Sequence, residues 1–285
     1  MNPTQLPEIE TVVADLKRKR IDDILPTSNG LKSTTYAMNG TKRGKVLIFN
    51  QVECAGESPR RGSDEDVKKL FETLPKLGFL QRDIKECKNY TKDQIYEEVS
   101  KLDDDKELND ADCLMVVILT HGRQGDALMA SDQFYHLYDL IDQFTPLALP
   151  SMAGKPKIFI VQACRGETKD LGVDLYVVNN HDLSCTQEDN LGSQTHKFTY
   201  PEYADLLIMM SSHYDHVSYR SIDRGSWFIQ HLCSVIERCD RKMHSIFDIV
   251  IKTNNAVSKQ GGCGSQQISS FYSTLTRQMF FDVQN

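Results

Sequence analysis

The hydrophobic pattern of this chain alternates between short, wholly apolar runs and longer segments in which apolar residues recur at helical spacing. The short runs predict buried strands, and the longer segments predict amphipathic helices. The predicted strands are 45–50, 83–87, 113–120, 157–162, 204–211 and 271–281, and the predicted helices are 63–77, 91–102, 134–144, 225–239 and 243–257. Because strands and helices alternate along the first part of the chain, the pattern indicates an α/β fold with a mostly parallel central sheet.

Polar residues at the predicted helix starts support two of these helices. Ser63 precedes three acidic residues, a combination that favours a capped helix start. Thr91 and Gln94 have the spacing of a capping box, in which each side chain bonds the other residue's backbone N–H. We therefore expect Ser63 to cap one helix and Thr91 to cap another.

Two of the apolar runs end abruptly in residues that can carry chemistry. One run leads to Cys164, and an earlier one leads to His121. The carboxyl ends of parallel strands lie at one edge of a sheet, where α/β proteins bind their ligands. A thiol beside an imidazole is the arrangement that a cysteine nucleophile requires. A cysteine after a buried strand is usually a small core residue, however, so this pair alone does not establish catalysis.

Four spaced motifs resemble those of the caspases, in kind and in order. They are Gln162-Ala163-Cys164-Arg165-Gly166, His121-Gly122, Ser218-Tyr219-Arg220 and Gly225-Ser226-Trp227-Phe228. From about residue 44 onward, the order of elements is similar to that of a caspase proenzyme. The resemblance implies a caspase-like three-layer sandwich, in which helices cover both faces of a mostly parallel sheet that continues across a dimer.

The resemblance assigns Cys164 and His121 the two catalytic roles of a cysteine endopeptidase. The Cys164 thiolate attacks the peptide carbonyl, and His121 protonates the leaving amine, which is worth about 10²–10⁴-fold in rate. The backbone N–H groups of Gly122 and Cys164 form the oxyanion hole, where each donor is worth about 10²–10³-fold. Glycine suits this position because the substrate approaches its backbone closely.

The same resemblance places Arg60, Gln162 and Arg220 in the primary specificity pocket. Arg60 is preferred to the adjacent Arg61 because the family's arginine lies two residues before a glycine, here Gly62. Two guanidinium groups that face each other repel, and a substrate aspartate relieves that repulsion while it accepts bidentate hydrogen bonds. Asparagine brings no charge, and glutamate is longer by one methylene. We therefore expect cleavage after Asp.

Ser218, Tyr219 and Trp227 are implied to line the neighbouring subsites. Backbone groups of Ser218 and Arg220 would pair with an extended substrate, as in strand addition. Tyr219 would border the adjacent pocket, and Trp227 would form an aromatic wall. Typical executioner caspases have a longer loop at the position of segment 258–267. In those proteins, that loop helps to select an acid at the fourth residue upstream of the cut. The sequence therefore does not predict a strict two-acid preference.

The resemblance also implies how the chain is divided. Residues 1–42 are expected to be a polar, disordered leader that acts as a removable pro-peptide, too short for the helical adaptor-binding domains of initiator caspases. Residues 43–170 form the large-subunit region, and residues 198–285 form the small-subunit region. The polar segment 171–197 is expected to be a linker that is cut after aspartate. Asp189 is the first candidate, followed by Asp182 and Asp174.

Composition limits the class of protein, its partners and its cellular location. The chain has 285 residues, of which 40% are hydrophobic and 26% charged, as in an ordinary globular protein. A net charge of −7 without a long basic face argues against nucleic acid as a partner, and no apolar run is long enough to span a membrane. The 8 cysteines are scattered and no secretory signal is visible, so we expect reduced thiols and a cytoplasmic location. Cysteines and histidines lack metal-ligand spacing, so we expect neither a metal nor another cofactor.

Three functional hypotheses follow. The favoured one is an endopeptidase specific for Asp that acts in apoptosis, as a homodimer of large and small subunit pairs joined through the last strand. Its expected partners are protein substrates with Asp before the cut, an upstream initiator caspase and inhibitor-of-apoptosis proteins. The second is a catalytically silent regulator that dimerises with an active relative, although such a protein need not retain His121, Cys164 and both arginines. The third is a peptidase that cuts after Lys or Arg, which would need an acidic pocket.

Overall fold

The computed structural model describes residues 33–170, 201–262 and 265–282 of the chain. The strands are β1 (Val46–Asn50), β2 (Ile84–Lys88), β3 (Leu114–Leu119), β4 (Gly122–Arg123), β5 (Ala127–Met129), β6 (Phe134–His136), β7 (Lys157–Gln162), β8 (Leu206–Met210), β9 (Arg220–Ser221), β10 (Gly225–Ser226), β11 (Gly261–Gly262), β12 (Ser265–Gln266) and β13 (Ser270–Ser273). The α-helices are α1 (Ser63–Thr73), α2 (Lys92–Ser100), α3 (Leu137–Ile141), α4 (Trp227–Arg238) and α5 (Ile246–Ser258). Short 3-10 helices occupy Leu74–Leu77, Gln81–Asp83, Lys106–Asp110, Asp142–Phe144 and Pro150–Met152.

The central sheet has the strand order β13-β8-β7-β3-β1-β2. Neighbours from β8 to β2 pair in parallel, whereas β13 runs antiparallel to β8. The strands β1, β3 and β7 are buried along their whole length, as expected for parallel strands that are covered on both faces. The predicted α/β fold with a mostly parallel sheet is confirmed.

Alternate side chains of the central strands enter two separate hydrophobic cores, one on each face of the sheet. Ile48 and Val117 belong to the core that α1, α4 and α5 cover, whereas Phe49 and Ile118 belong to the core that α2 and α3 cover. Fully burying a side chain of this kind contributes roughly 1.5–3 kcal/mol. The two cores fix the strand register, because a slip by one residue would exchange the faces. The result is the three-layer arrangement that the sequence predicts.

The two predicted helix starts have different outcomes. Thr91 caps α2 and forms the expected capping box: the Gln94 N–H donates to Thr91 Oγ1 at 3.3 Å, and the Thr91 N–H donates to Gln94 Oε1 at 2.9 Å. Ser63, by contrast, is the first residue of α1 and caps nothing. Its hydroxyl turns inward, donates to Asn50 Oδ1 at 2.6 Å and accepts a hydrogen bond from Arg60. The prediction of a Ser63 cap was wrong because this hydroxyl bonds buried polar groups instead.

Two other predicted elements differ from the structure. The last strand was expected over 271–281, but β13 ends at Ser273, and beyond it Met279 and Phe281 turn into the core beneath the helices. The helix expected over 134–144 begins instead with strand β6, because Tyr135 pairs with Leu128 of β5. The α-helix α3 starts only after that pairing ends. In both segments, tertiary pairing and packing override the local pattern.

The end of the expected leader packs against the folded body. Tyr36 is buried, its N–H donates to the carbonyl oxygen of Gln278 at 2.8 Å, and its hydroxyl donates to Asp205 at 2.5 Å. Residues 33–42 therefore contribute to the fold, and the boundary of the pro-peptide at residue 42 stays a prediction.

Candidate active site

Strand register places the two predicted catalytic residues at one end of the sheet. β3 pairs in parallel with β7, and Leu119 lies opposite Gln162 where the two strands end. His121 follows the first strand, and Cys164 follows the second. The imidazole and the thiol therefore emerge from adjacent strand ends, where α/β proteins place their ligand sites.

A backbone carbonyl fixes the orientation of the His121 ring. The Nε2 atom lies 2.8 Å from the carbonyl oxygen of Ser58, so Nε2 carries a hydrogen and donates it. In the neutral ring this leaves Nδ1 as the nitrogen that can accept a proton. Burial lowers the pKa of His121, the bond to Ser58 opposes that effect, and the charges of Arg60 and Arg220 lower the pKa further. The ring therefore stays neutral to lower pH than a free imidazole does.

Cys164 is a partly buried free thiol next to Ser218. The Ser218 N–H donates to Cys164 Sγ at 3.4 Å, and Ser218 Oγ lies 3.7 Å from the same sulfur. The other free cysteines in the described ranges are buried, and burial raises the pKa of Cys87 to about 11. Among the described thiols, Cys164 is thus the one that a substrate can reach.

Gly122 lies so close to the loop of Cys164 that no side chain could be accommodated. A Cβ atom built on Gly122 would overlap the carbonyl oxygen of Cys164 and the methyl group of Ala163. The backbones of Gly122 and Cys164 are therefore in direct contact. This contact brings together the two residues that the resemblance assigns to the oxyanion hole.

Arg60 is a buried guanidinium with unused hydrogen-bond donors. The residue is 1% exposed, and its Nη1 donates to Ser63 Oγ at 2.8 Å and to the carbonyl oxygen of Gln51 at 3.4 Å. Within the described part of the chain, Nε and Nη2 have no hydrogen-bond partner. Burial, and then the charge of Arg220, lowers the pKa of Arg60 to about 9. An anion bound here would use the free donors and compensate the buried charge.

Gln162 and Arg220 complete this region. Gln162 is buried, its Nε2 donates to Ser218 Oγ at 2.9 Å, and its Oε1 lacks a hydrogen-bond partner among the described residues. Arg220 is partly buried, which lowers its pKa, and its Nε donates to the carbonyl oxygen of Arg61 at 2.9 Å. Arg61 thus contributes its backbone while its side chain is exposed. This geometry supports Arg60, rather than Arg61, as the specificity arginine.

Asp66 is a buried carboxylate that the sequence does not single out. It accepts hydrogen bonds from the Ser226 N–H at 2.7 Å, the Ser226 hydroxyl at 2.5 Å and Gln230 Nε2 at 3.1 Å. Burial raises the pKa of Asp66, and the bonds from Ser226 oppose that effect. Its negative charge acts on both Arg60 and Arg220. Asp66 therefore offsets part of the arginine charge while it anchors the start of α4.

Tyr219 and Trp227 form an aromatic pair next to Arg220. Their ring centroids are 4.8 Å apart, with the planes inclined by 32°, and the Trp227 N–H donates to the carbonyl oxygen of Tyr219 at 3.2 Å. Gln267 accepts the Tyr219 N–H at 2.8 Å and donates to the carbonyl oxygen of Ser211 at 2.6 Å. The ring pair is thus held in place by hydrogen bonds of the backbone on both sides of it.

Comparison with known proteins identifies the family. Residues 43–280 match the family model described as "Caspase domain". The chain belongs to the caspase family. The thiol, the imidazole and the arginine pocket described above all lie within the matched caspase region.

Relatives and solved structures agree with this assignment. The chain is 36% identical over 200 residues to Caspase-1 of Spodoptera frugiperda, with 70% of this chain and 62% of the relative covered. It is 34% identical over 204 residues to Caspase drICE of Drosophila melanogaster, with 70% and 56% covered. The chain therefore spans less than two thirds of the length of these two relatives. The crystal structure of Caspase-1 from Spodoptera frugiperda matches with a TM-score of 0.75 at 28% identity and covers 88% of this chain and 94% of that chain.

Three residues that organise this caspase site were missed by the sequence analysis. Asp66 shares the buried face of α1 with Val67 and Leu70, so helical spacing did contain a signal for its burial. Ser58 acts through its backbone carbonyl, which any residue carries. Gln267 reaches Tyr219 from a segment that is distant in sequence, so it has no local signal.

Some predictions for this caspase fall outside what the structure describes. Asp174, Asp182 and Asp189 lie between the described ranges, so cutting of the linker stays a prediction. Within the described ranges, no group of three or more His, Cys, Asp or Glu side chains is arranged to hold a metal ion. In those same ranges, no helix combines the length and the apolar character that crossing a bilayer requires.

Proposed function

We propose that this caspase is a cysteine endopeptidase that cleaves proteins after Asp, with Cys164 as nucleophile. The observation that carries the proposal is the state of Arg60: its guanidinium is buried, and two of its donor nitrogens have no hydrogen-bond partner among the residues that the structure describes. An uncompensated buried charge destabilises a protein, so such a group is best explained by an anion that binds there. In a polypeptide substrate that anion is a side-chain carboxylate.

The site supports a two-step acyl transfer. Because Ser58 holds Nε2 of His121, Nδ1 takes the thiol proton as Cys164 Sγ attacks the carbonyl carbon, and the carbonyl oxygen becomes an oxyanion beside the N–H groups of Gly122 and Cys164. The proton then passes from His121 to the leaving amine as the C–N bond breaks, which leaves a thioester. Water gives a proton to His121 and attacks the thioester, and the returning proton restores the thiol.

Charge selects aspartate over other residues before the cut. A carboxylate accepts from the free nitrogens of Arg60 and from Arg220, whereas the NH₂ group of asparagine would face these donors. A lysine or arginine side chain would add a third positive charge to the pocket, which disfavours the hypothesis of cleavage after Lys or Arg.

We further propose that the protein is made as a zymogen that acts in apoptosis in the cytoplasm. In this scheme the leader 1–42 is removed, and the linker 171–197 is cut after Asp189, Asp182 or Asp174 by an upstream initiator caspase. The cut separates the large-subunit region 43–170 from the small-subunit region 198–285. Inhibitor-of-apoptosis proteins are proposed to restrain the active form, and no metal or other cofactor is required by the chemistry.

The active form is proposed to be a dimer of large and small subunit pairs. Its support is β13, which is an end strand of the central sheet within the described residues and in which Phe271 is 40% exposed and Tyr272 is 47% exposed. An exposed apolar edge strand favours pairing with a second copy, which would continue the sheet.

The test is a panel of peptides that vary only at the residue before the cut, incubated with wild-type protein and with Cys164→Ala. Turnover confined to Asp, and absent in the variant, is expected. Turnover after Lys or Arg would refute the pocket assignment while it preserved the Cys164 nucleophile. No turnover, even after the 171–197 linker has been cut by an added protease, would favour the silent regulatory partner.

A further inference from the structure

The two proposed oxyanion donors belong to separate segments. Gly122 is part of the hairpin formed by β4 and β5, where it pairs with Leu128, and the Met129 N–H donates to the carbonyl oxygen of His121 at 2.9 Å. Cys164 belongs to the loop that follows β7. The geometry of the oxyanion hole therefore depends on what connects the hairpin to this loop.

An ion pair connects them. Arg165, which directly follows Cys164, donates from Nε to Asp126 Oδ1 at 2.6 Å and from Nη2 to Asp126 Oδ2 at 3.0 Å. Asp126 lies in the turn between β4 and β5. Both side chains of the pair are 12% exposed, so water screens their attraction only weakly. A bidentate arrangement of this kind is strong and also directional.

Both partners are held in place by their own backbones. Asp126 has a φ of 56°, in the left-handed region that aspartate tolerates better than most residues, and its carbonyl oxygen accepts the Leu137 N–H at 3.0 Å. The Arg165 N–H donates to the carbonyl oxygen of His216 at 3.0 Å. The ion pair therefore joins two anchored segments and can hold them at a fixed separation.

We infer that Asp126 is a positioning residue of the oxyanion hole. Through Arg165 it fixes the hairpin that carries Gly122 against the loop that carries Cys164. Asp126 acts through this ion pair and not by contact with the substrate. Because a misplacement of about 1 Å in a catalytic constellation can cost about 10²-fold in rate, loss of the pair should reduce turnover more than substrate binding. The inference rests on the proposed peptidase activity.

The test compares Asp126→Asn, which keeps the shape but loses the charge, with Asp126→Glu, which keeps the charge. For Asp126→Asn we expect kcat to fall by roughly 10- to 100-fold with KM changed by less than about threefold. Asp126→Glu should recover part of this loss. Arg165→Lys keeps a positive charge without the bidentate geometry and should lose kcat as Asp126→Asn does.

Two reagents that react with Cys164 distinguish a positioning role of Asp126 from a general disruption of the active site. A peptide aldehyde with Asp at its end forms a hemithioacetal with Cys164, whose oxygen occupies the oxyanion hole, so its affinity should fall in parallel with kcat. Iodoacetamide alkylates the same thiol without an oxyanion, so its rate should stay within about twofold of wild type. The matched control is Glu98→Gln on α2, because the Glu98 side chain is 8% exposed and accepts from Lys85 Nζ at 2.5 Å. Its kcat should equal that of wild type.

The outcomes distinguish this inference from the proposed function. If wild type cleaves no Asp peptide, the proposed function fails, whatever the variants do. If wild type cleaves and Asp126→Asn keeps kcat within twofold, the inference is overturned and the proposed function stands. Parallel loss of aldehyde affinity and alkylation rate would also overturn it, because that pattern means disruption of the whole site. Where Asp126→Asn unfolds, Arg165→Lys decides by the same criteria.

Discussion

Replacing Arg60 by methionine is expected to stabilise the empty protein while it removes cleavage after Asp. Burial, and then the charge of Arg220, lowers the pKa of Arg60 to about 9, a change that corresponds to roughly 5 kcal/mol of unfavourable free energy at about 1.4 kcal/mol per tenfold change. The charged hydrogen bond from Nη1 to Ser63 returns about 1.5–3 kcal/mol, and the variant loses it. Because the first quantity is larger, the free energy of unfolding of Arg60→Met should exceed that of wild type by about 2–3.5 kcal/mol.

The pH at which this difference is measured follows from the direction of the pKa change. Below pH 9 both the folded and the unfolded chain carry a protonated Arg60, so the full cost of burial is present at neutral pH and declines only as pH rises through about 9. Urea denaturation near neutrality, followed by circular dichroism in a Cys164→Ala background, measures the difference without self-cleavage. The control is Arg61→Met, whose exposed side chain should change stability by less than about 0.5 kcal/mol.

The peptidase activity of Arg60→Met should fall, although its stability should rise. Removing one partner of a buried charge pair costs about 2–5 kcal/mol, so kcat/KM for an Asp peptide should fall by at least about 30-fold in otherwise wild-type protein. Arg61→Met should keep most of the activity. If Arg60→Met were less stable than wild type and still cleaved after Asp, Arg60 would be a structural residue, and the reasoning about the pocket would be refuted.

Gly122→Ala should reduce kcat/KM by at least about 10²-fold, because its Cβ would overlap the Cys164 carbonyl oxygen. Iodoacetamide should still alkylate Cys164 in this variant, and normal turnover would contradict the close contact between the two backbones. Asp66→Asn should lower the free energy of unfolding by about 1–3 kcal/mol, because its NH₂ group would face donors of Ser226; urea denaturation tests this, and an unchanged value would refute it. NMR titration of His121 in the Cys164→Ala protein should give a pKa below 6.5 that rises when an Asp peptide binds; an unresponsive pKa would exclude charge coupling to the pocket.

The parts of the fold that were predictable are those whose signals are local. The wholly apolar runs at β1, β3 and β7 predict buried parallel strands because only such strands are covered on both faces. Their ends predicted where His121 and Cys164 emerge. Segments whose structure depends on pairing with another strand were predicted less well, since Tyr135 lies in a strand only because Leu128 pairs with it. The pattern around 134–144 contains no trace of that partner.

Site residues, too, were predictable only where their signal is local in the sequence. His121, Cys164 and the arginines stand in spaced motifs, whereas Asp66 stands in an acidic first helical turn, where carboxylates are usually exposed. What makes Asp66 unusual is the strand β10 that packs against it, and a Cβ on Gly225 would overlap its carboxylate. That contact joins segments far apart in sequence, so a single sequence shows the carboxylate without its partners.

The charges around the pocket link substrate selection to catalysis. The lowered pKa of Arg60 corresponds to a cost of roughly 5 kcal/mol for keeping this charge buried, even with Asp66 nearby, which is large beside a typical net stability of about 5–15 kcal/mol. If the protein cleaves after Asp as we propose, a substrate carboxylate supplies the missing anion, and part of that cost becomes binding free energy for Asp and for no neutral side chain. The same arginines lower the pKa of His121, and neutralising them should raise it. In the proposed mechanism, an Asp substrate should therefore bring the imidazole closer to the protonated form that the leaving amine needs, whereas an asparagine substrate of nearly the same shape should not.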